Sequence, residues 1–198
     1  MKKIAILGSA CGSNLEAVVK YFKDKDISFV CLSDIEHSDI LRKAEELNVE
    51  YKYLPYEKNF EYFSSHDFDL IALSDYRRQV QSDVLETGKF INVHPSLLPS
   101  FKGPDSISRA FTSGVKVSGV TVHMVNDDID GGKIIAQYPV LIGNLTHFDE
   151  FENEIHNLEN SLYPIVIEKI LNDEVFDFSD LLGGCSKNSG CGGCGGCK

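Results

Sequence analysis

Short apolar runs alternate with segments of helical periodicity along the first hundred residues, and this alternation constrains the fold more than any other feature. The apolar runs predict strands at residues 3–7, 27–33, 50–54, 69–74 and 90–94. The segments between them predict helices at residues 14–23, 40–47, 59–65 and 82–86. Strands separated by helices in this order form a parallel sheet that helices cover on both faces. The sequence therefore predicts an α/β domain with a mostly parallel central sheet.

The pattern changes after residue 100. Residues 106–113 predict a helix, and two apolar stretches at 117–125 and 133–142 predict strands joined by the acidic loop "NDDIDGG".

A long helix and an unusual tail end the chain. Apolar side chains recur every three or four residues from Phe148 onwards, and we expect Thr146 to cap this helix and Pro164 to kink it. The last residues are rich in glycine and cysteine and have almost no apolar content. We therefore expect a domain at residues 1–182 and a flexible tail at residues 183–198.

The chain carries a negative charge that narrows the classes of partner. Its 198 residues include 30 acidic and 19 basic side chains, which gives a formal charge of −11. Such a surface repels nucleic acid and anionic membranes, so we expect small-molecule substrates and neither of those partners. No apolar run approaches the roughly 18 residues that span a bilayer, and the short apolar run at the start does not resemble a signal peptide. We expect a cytoplasmic protein, and the sequence leaves its oligomeric state open.

The stretch "INVHPSLLPS" contains the first candidate site. Ligands of open parallel sheets bind beyond the carboxyl ends of the strands. Asn92 and His94 stand two apart at the end of a strand, so their side chains project to the same side. Pro95 then turns the chain away. An asparagine that satisfies backbone groups and a histidine that holds a turn is the alternative interpretation of the same pair.

The stretch "GSACGSN" lies between the first strand and the first helix. It matches neither the dinucleotide motif nor the nucleotide P-loop. Gly12, Ser13 and Asn14 nevertheless offer backbone N–H groups and side-chain donors to a phosphate at the start of a helix. The same residues could simply cap the helix. We expect Cys11 to be a small buried thiol and not a nucleophile.

Two further polar features stand near the predicted hairpin. Asp127, Asp128 and Asp130 lie in the acidic loop, although most acidic turns serve only to be solvated. His123 shares a strand face with Thr121 by alternation, and we expect a packed core histidine there.

Three stretches together resemble a known family. "ILGSACGSNLEAVVKYF", "INVHPSLLPSFKG" and "GVKVSGVTVHMVNDDIDGGKIIAQ" are similar to the folate-dependent formyltransferases, and the resemblance covers roughly residues 1–171. It implies a Rossmann-like formyltransferase fold and transfer of a formyl group from 10-formyltetrahydrofolate, as co-substrate, to a primary amine. The similarity is greatest to the branch that formylates glycinamide ribonucleotide in de novo purine biosynthesis. A second phosphorylated amine, such as an amino-sugar nucleotide, is the alternative acceptor, and a non-catalytic metal- or redox-binding protein is the alternative class.

The resemblance also implies roles for individual positions. The implied catalytic residues are Asn92, His94 and Asp130, with His94 acting in its protonated form beside the Asp130 carboxylate. The implied substrate site holds the acceptor phosphate at Gly12, Ser13 and Asn14 and its ribose at Glu159. The implied folate pocket is lined by Tyr76, Arg77, Arg78, Gln79 and Asn92. No metal is required for this chemistry.

The chain departs from the family pattern in three places. The region 56–68 is short and lacks a substrate-binding arginine, and Ser74-Asp75 replaces a glycine–aromatic pair. The third departure is "FKGPDSISRA", which replaces a Pro-Gly, histidine-containing segment. The tail lies outside the resemblance and contains four cysteines with spacing seen in metal and cluster sites, namely Cys185, Cys191, Cys194 and Cys197. A weak metal site and a flexible thiol-rich tail are both compatible with that spacing.

Overall fold

The computed structural model describes residues 1–142 and 147–177, and within them seven strands form one sheet flanked by six helices. The strands are β1 Lys2–Gly8, β2 Ile27–Ser33, β3 Glu50–Tyr53, β4 Leu70–Ser74, β5 Phe90–His94, β6 Val117–Met124 and β7 Ile134–Leu141. The helices are α1 Ser13–Tyr21, α2 Asp39–Glu46, α3 Asn59–Ser65, α4 Ser82–Leu85, α5 Ser106–Thr112 and α6 Phe148–Leu171, with a 3-10 turn at Tyr56–Lys58. The predicted strands and helices are all present, with ends that differ by one or two residues.

The sheet has the order β3-β2-β1-β4-β5-β6-β7. Strands β1 to β5 pair in parallel, while β6 runs antiparallel to both β5 and β7. Parallel neighbours need a crossover, which the helices of the first half provide, whereas β6 and β7 are joined by a short loop. The prediction of a mostly parallel sheet is confirmed.

Two buried clusters lie on opposite faces of this sheet. Alternate residues of β1 show the division, since Ile4 and Ile6 enter one cluster and Ala5 and Leu7 enter the other. The first cluster packs beneath α1, α2 and α6, and the second packs beneath α3 and α4. Both faces of the sheet are therefore covered, as continuous apolar strands require.

Two expectations concern helix α6, namely a cap at Thr146 and a kink at Pro164. It is one continuous helix, and Pro164 lies buried inside it without ending it. Its neighbours Tyr163 and Val166 are fully buried against the sheet, so packing on both sides of the proline supports the helix where a backbone hydrogen bond is missing. His147 occupies the N-cap position, while Thr146 lies outside the described residues. None of the helices in the described part of the chain is long and apolar enough to cross a membrane.

Candidate active site

The end of β5 holds the two polar side chains that the strand pattern singled out. His94 is buried and Asn92 is half-buried, because β5 lies in the interior of the sheet between β4 and β6. After Pro95 the chain is tied to β6, where the Thr121 hydroxyl donates to the carbonyl of Ser96 at 2.7 Å. The turn is thus fixed to the sheet, and the strand end remains free to present Asn92 and His94.

The acidic loop brings Asp130 to His94. Asp130 Oδ2 lies 3.4 Å from His94 Nδ1, and the Asp130 side chain is only 11% exposed. The backbone of Asp130 is left-handed (φ 49°), a conformation that aspartate tolerates better than most residues. The Gly103 N–H donates to Asp130 Oδ2 at 2.7 Å, and His94 Nε2 lies 3.0 Å from the carbonyl oxygen of Phe101. The sequence-predicted catalytic trio is therefore gathered at one point.

A second histidine belongs to the same cluster. His123 Nε2 lies 3.6 Å from Asp130 Oδ1 and 3.4 Å from Asn92 Nδ2, and its Nδ1 lies 2.8 Å from the carbonyl oxygen of Met124. His123 is buried, as expected, and its ring also lies beside Asp130 and Asn92. His123 meets Asn92 because β6 pairs antiparallel with β5, and the two residues are opposite each other in that register. The sequence pattern alone does not show which strand β6 joins.

The pKa values of Asp130 and His94 are both lowered, but for different reasons. Burial raises the pKa of Asp130, but hydrogen bonds from His123 and Gly103 and the proximity of His94 outweigh it and hold the pKa at about 2. Burial lowers the pKa of His94, although the Asp130 carboxylate and the Phe101 carbonyl act in the opposite direction. The Asp130 carboxylate favours the protonated form of His94, as expected, but desolvation is the larger effect and lowers the pKa of the ring in the ligand-free protein. Both ring nitrogens of His94 nevertheless face oxygen atoms, so a second proton would find an acceptor already in place.

The loop after β1, called the anion loop below, leads into the N-terminus of α1, a kind of position that can bind an anion. Gly12 is left-handed (φ 77°) and is the N-cap of α1, with no side chain of its own to occupy the helix start. Asn14 is 2% exposed, and its Oδ1 has no hydrogen-bond partner among the described residues. Ser13 stands beside Cys11, which is exposed and not buried as expected, since it lies on the open side of the loop.

Glu159 lies on α6 and is 3% exposed. Its Oε2 accepts a hydrogen bond from His156 Nδ1 at 2.9 Å. One helical turn further on, Tyr163 donates to the carbonyl oxygens of Leu73 and Ile91, in the second halves of β4 and β5. The charge of Asp75, directly after β4, acts on both His156 and Glu159. The pair therefore faces the same carboxyl edge of the sheet as the trio.

The segment after β4 forms hydrogen bonds with both the loop after β1 and the acidic loop after β6. The Arg77 N–H donates to Ser9 Oγ at 3.1 Å, next to the anion loop, and Gln79 Nε2 donates to the carbonyl oxygen of Asp127 at 2.6 Å. Arg78 pairs with Asp34 at 3.4 Å. Tyr76 is also predicted to line the folate pocket, and its hydroxyl accepts a hydrogen bond from Asn59 Nδ2 at 3.1 Å.

Two other features lie apart from this edge. A cavity of about 370 Å³ opens at the opposite edge of the sheet, lined in part by Lys2, Ile27 and Leu171, and it contains none of the predicted site residues. Within residues 1–142 and 147–177, no group of three or more histidine, cysteine or acidic side chains is placed to hold a metal ion. The four candidate cysteines of the tail, Cys185, Cys191, Cys194 and Cys197, lie outside the described residues.

Comparison with known proteins decides the family. The family model for formyl transferases matches residues 2–167, which is most of the chain. The chain belongs to the formyl transferase family. It is 38% identical to the phosphoribosylglycinamide formyltransferase of Bacillus subtilis over 186 residues, covering 86% of this chain and 95% of the relative.

Solved formyl transferase structures share the fold as well. Glycinamide ribonucleotide transformylase 1 from Symbiobacterium toebii superposes with a TM-score of 0.81 at 27% identity, covering 89% of this chain and 95% of that one. The corresponding protein from Geobacillus kaustophilus gives a TM-score of 0.80 at 31% identity, covering 86% of this chain and 99% of that one. The family resemblance and the fold class expected from the sequence are confirmed, and the chain is a transferase.

Proposed function

We propose that this formyl transferase transfers a formyl group from 10-formyltetrahydrofolate to the primary amine of glycinamide ribonucleotide. The observation that carries the proposal is the cluster of Asn92, His94 and Asp130 at the same sheet edge as an anion loop. The relatives support the acceptor, because those from Bacillus subtilis and Haemophilus influenzae are both named phosphoribosylglycinamide formyltransferase.

The trio suits attack of an amine on a formyl carbon. A carbon–nitrogen bond forms to the acceptor amine, the formyl oxygen gains negative charge, and the bond to the folate nitrogen then breaks. The Asn92 amide donates to that oxygen, a type of interaction worth about 3–4 kcal/mol per donor in a dry site. Asn92 is half-buried and His94 is buried, so the donor acts with little competition from solvent.

One proton must travel from the attacking amine to the departing folate nitrogen. Burial lowers the pKa of His94, which favours the neutral form of the ring in the free enzyme. The developing oxyanion and the ionised Asp130 both favour the imidazolium, so His94 takes up the amine proton as charge appears and then releases it to the folate nitrogen. Asp130, with a pKa of about 2, stays ionised throughout and stabilises this imidazolium.

The remaining predicted residues would bind the two substrates. The N–H groups at the start of α1, with Ser13 and Asn14, would bind the acceptor phosphate. Glu159 would accept hydrogen bonds from the ribose hydroxyls. The segment 76–79 would line the folate pocket with its backbone, and the mechanism uses no metal. We further propose a cytoplasmic enzyme that does not bind nucleic acid, in keeping with its charge of −11.

Deformylation of 10-formyltetrahydrofolate against a panel of amines tests this proposal. We expect rapid, stoichiometric transfer to glycinamide ribonucleotide and slow or no transfer to glycinamide, which lacks the phosphoribosyl group, and to an amino-sugar nucleotide. Transfer to the amino-sugar nucleotide at the higher kcat/KM, or equal rates with and without the phosphoribosyl group, would contradict the proposed acceptor.

A further inference from the structure

Arg109, on α5, clasps the loop that precedes its helix. Its Nε donates to the carbonyl oxygen of Pro104 at 3.1 Å, and its Nη2 donates to those of Phe101 at 2.9 Å and Gly103 at 3.3 Å. The carbonyl oxygen of Lys102 also lies on this Nη2. One guanidinium thus contacts four consecutive carbonyl oxygens, three through Nη2 and one through Nε, with donors that the planar group holds in a fixed geometry.

The clasped loop is not one that the chain would adopt unaided. Phe101 (φ 56°), Gly103 (φ 77°) and Asp105 (φ 56°) are all left-handed, and two of these are not glycine. Such conformations cost of order 1–3 kcal/mol each for ordinary residues and persist where the surroundings impose them. The carbonyl oxygens that point at Arg109 are the groups that this turn gathers together.

Two backbone atoms of the same loop bind the catalytic pair. The carbonyl oxygen of Phe101 accepts from His94 Nε2, and the Gly103 N–H donates to Asp130 Oδ2. We propose that Arg109 is a positioning residue for formyl transfer, which holds residues 101–104 so that His94 and Asp130 face each other. The inference rests on the proposed function, because it assigns those two residues to the reaction.

Arg109 also affects His94 through its charge, and the test must separate charge from geometry. Burial lowers the pKa of His94 most, the carboxylate of Asp130 raises it, and the positive charge of Arg109 lowers it. Arg109→Lys keeps the charge and loses the fork, whereas Arg109→Leu loses both. Arg42→Leu is the matched control, since Arg42 is an exposed arginine of α2 that pairs only with Asp39 in the described structure.

Three measurements on the full-length variants decide the matter. We expect both Arg109 variants to lower kcat about tenfold or more while the acceptor KM changes less than twofold. We expect the Gly103 amide to exchange with solvent at least tenfold faster in both variants than in the wild type and in Arg42→Leu. Thermal melting shows whether each variant remains folded at the assay temperature.

The outcomes are distinct. A normal Arg109→Lys with a slowed Arg109→Leu would show that charge alone matters and would overturn the proposal. Unchanged kcat in both variants, with only a lower melting temperature, would reduce Arg109 to a stabilising residue and would overturn it too. If the wild-type protein transfers no formyl group, the proposed function fails, and the Gly103 amide exchange still decides whether Arg109 holds the loop.

Discussion

The Glu159 side chain is buried almost completely on α6, and among the described residues it hydrogen-bonds the half-exposed His156. Burial raises the pKa of Glu159, and the hydrogen bond from His156 opposes that effect. The same hydrogen bond raises the pKa of His156. The hydrogen bond from His156 therefore opposes protonation of Glu159, which we propose to lie at the acceptor side of the site.

Removing His156 should make acceptor binding sensitive to acid. In His156→Ala, burial and the nearby Asp75 act on Glu159 unopposed, so its pKa rises further and the carboxyl group is protonated at higher pH. We expect the acceptor KM of this variant to increase as the pH falls from 8 to 6, while the folate KM stays constant. Asn157→Ala, at the exposed neighbouring position, is the control. Parallel pH profiles for His156→Ala and the wild type would show that His156 has no influence on Glu159.

At the level of single residues, the local sequence predicted some members of the candidate site and not others. Asn92 and His94 stand at the end of one strand, so their two-residue spacing was enough to place them together. Asp130 is 36 residues from His94 in sequence, and only the family resemblance linked the two before the structure did. The pKa of His94 could not be predicted either, because its direction depends on how deeply the finished fold buries the ring.

At the level of helices, strands and loops, the backbone geometry of the anion loop limits which substitution can test phosphate binding. A Cβ on Gly12 would lie 3.1 Å from the Cα atom of Ile40, and its φ of 77° is unfavourable for a branched side chain. Gly12→Val should therefore lower the stability of the fold itself and cannot report on phosphate alone.

Ser13→Ala is the better test of the anion loop. A hydrogen bond to a charged group contributes about 1.5–3 kcal/mol, so we expect the acceptor KM to rise roughly tenfold or more, with kcat and the folate KM nearly unchanged. Ser65→Ala, where the serine bonds only its own helix and the adjacent histidine, is the control. An unchanged acceptor KM in Ser13→Ala would remove the loop from the acceptor site.

Besides its apolar packing, helix α6 contacts the sheet through a hydroxyl group. The fully buried Tyr163 donates to the carbonyl oxygens of Leu73 and Ile91 at 2.9 and 3.3 Å. Tyr163→Phe keeps the ring and removes the donor, so we expect a loss of about 1 kcal/mol in the free energy of unfolding. Urea unfolding measures it, with the half-exposed Tyr53→Phe as the control, and equal midpoints for both variants would contradict the role.

For the helices and strands themselves, sequence periodicity was sufficient wherever a pattern was long. The apolar strands and the helical spacing of α6 were predicted correctly, because each buries a face whose period can be seen in the chain. The helix continues through Pro164, where packing against residues distant in sequence supports it.

The whole molecule depends on a strand order that no local pattern contains. Because β6 lies beside β5, it brings His123 opposite Asn92 and places the acidic loop above His94. Alternation predicted that β6 and β7 were strands, but not which neighbour β6 would choose.

The chain is proposed to work without its cysteine-rich end. All three members of the catalytic trio precede residue 131, so deletion of residues 184–198 should leave kcat within about twofold. The deletion should also leave the metal content of the purified protein unchanged. A large loss of activity, or stoichiometric metal that disappears with the deletion, would show a functional site in the tail.

The central claim is that His94 and Asp130 act as one unit in formyl transfer, and a double-mutant cycle on kcat tests it most directly. His94→Ala should lose about 10²–10⁴-fold, the usual contribution of a positioned acid–base group. Asp130→Asn should also be slow, because the imidazolium loses its counter-charge, whereas Asp128→Asn, an exposed neighbour in the same loop, should be nearly normal. The double variant should be far less impaired than the product of the two single losses. If the losses multiply, His94 and Asp130 act independently, and the site requires another proton carrier.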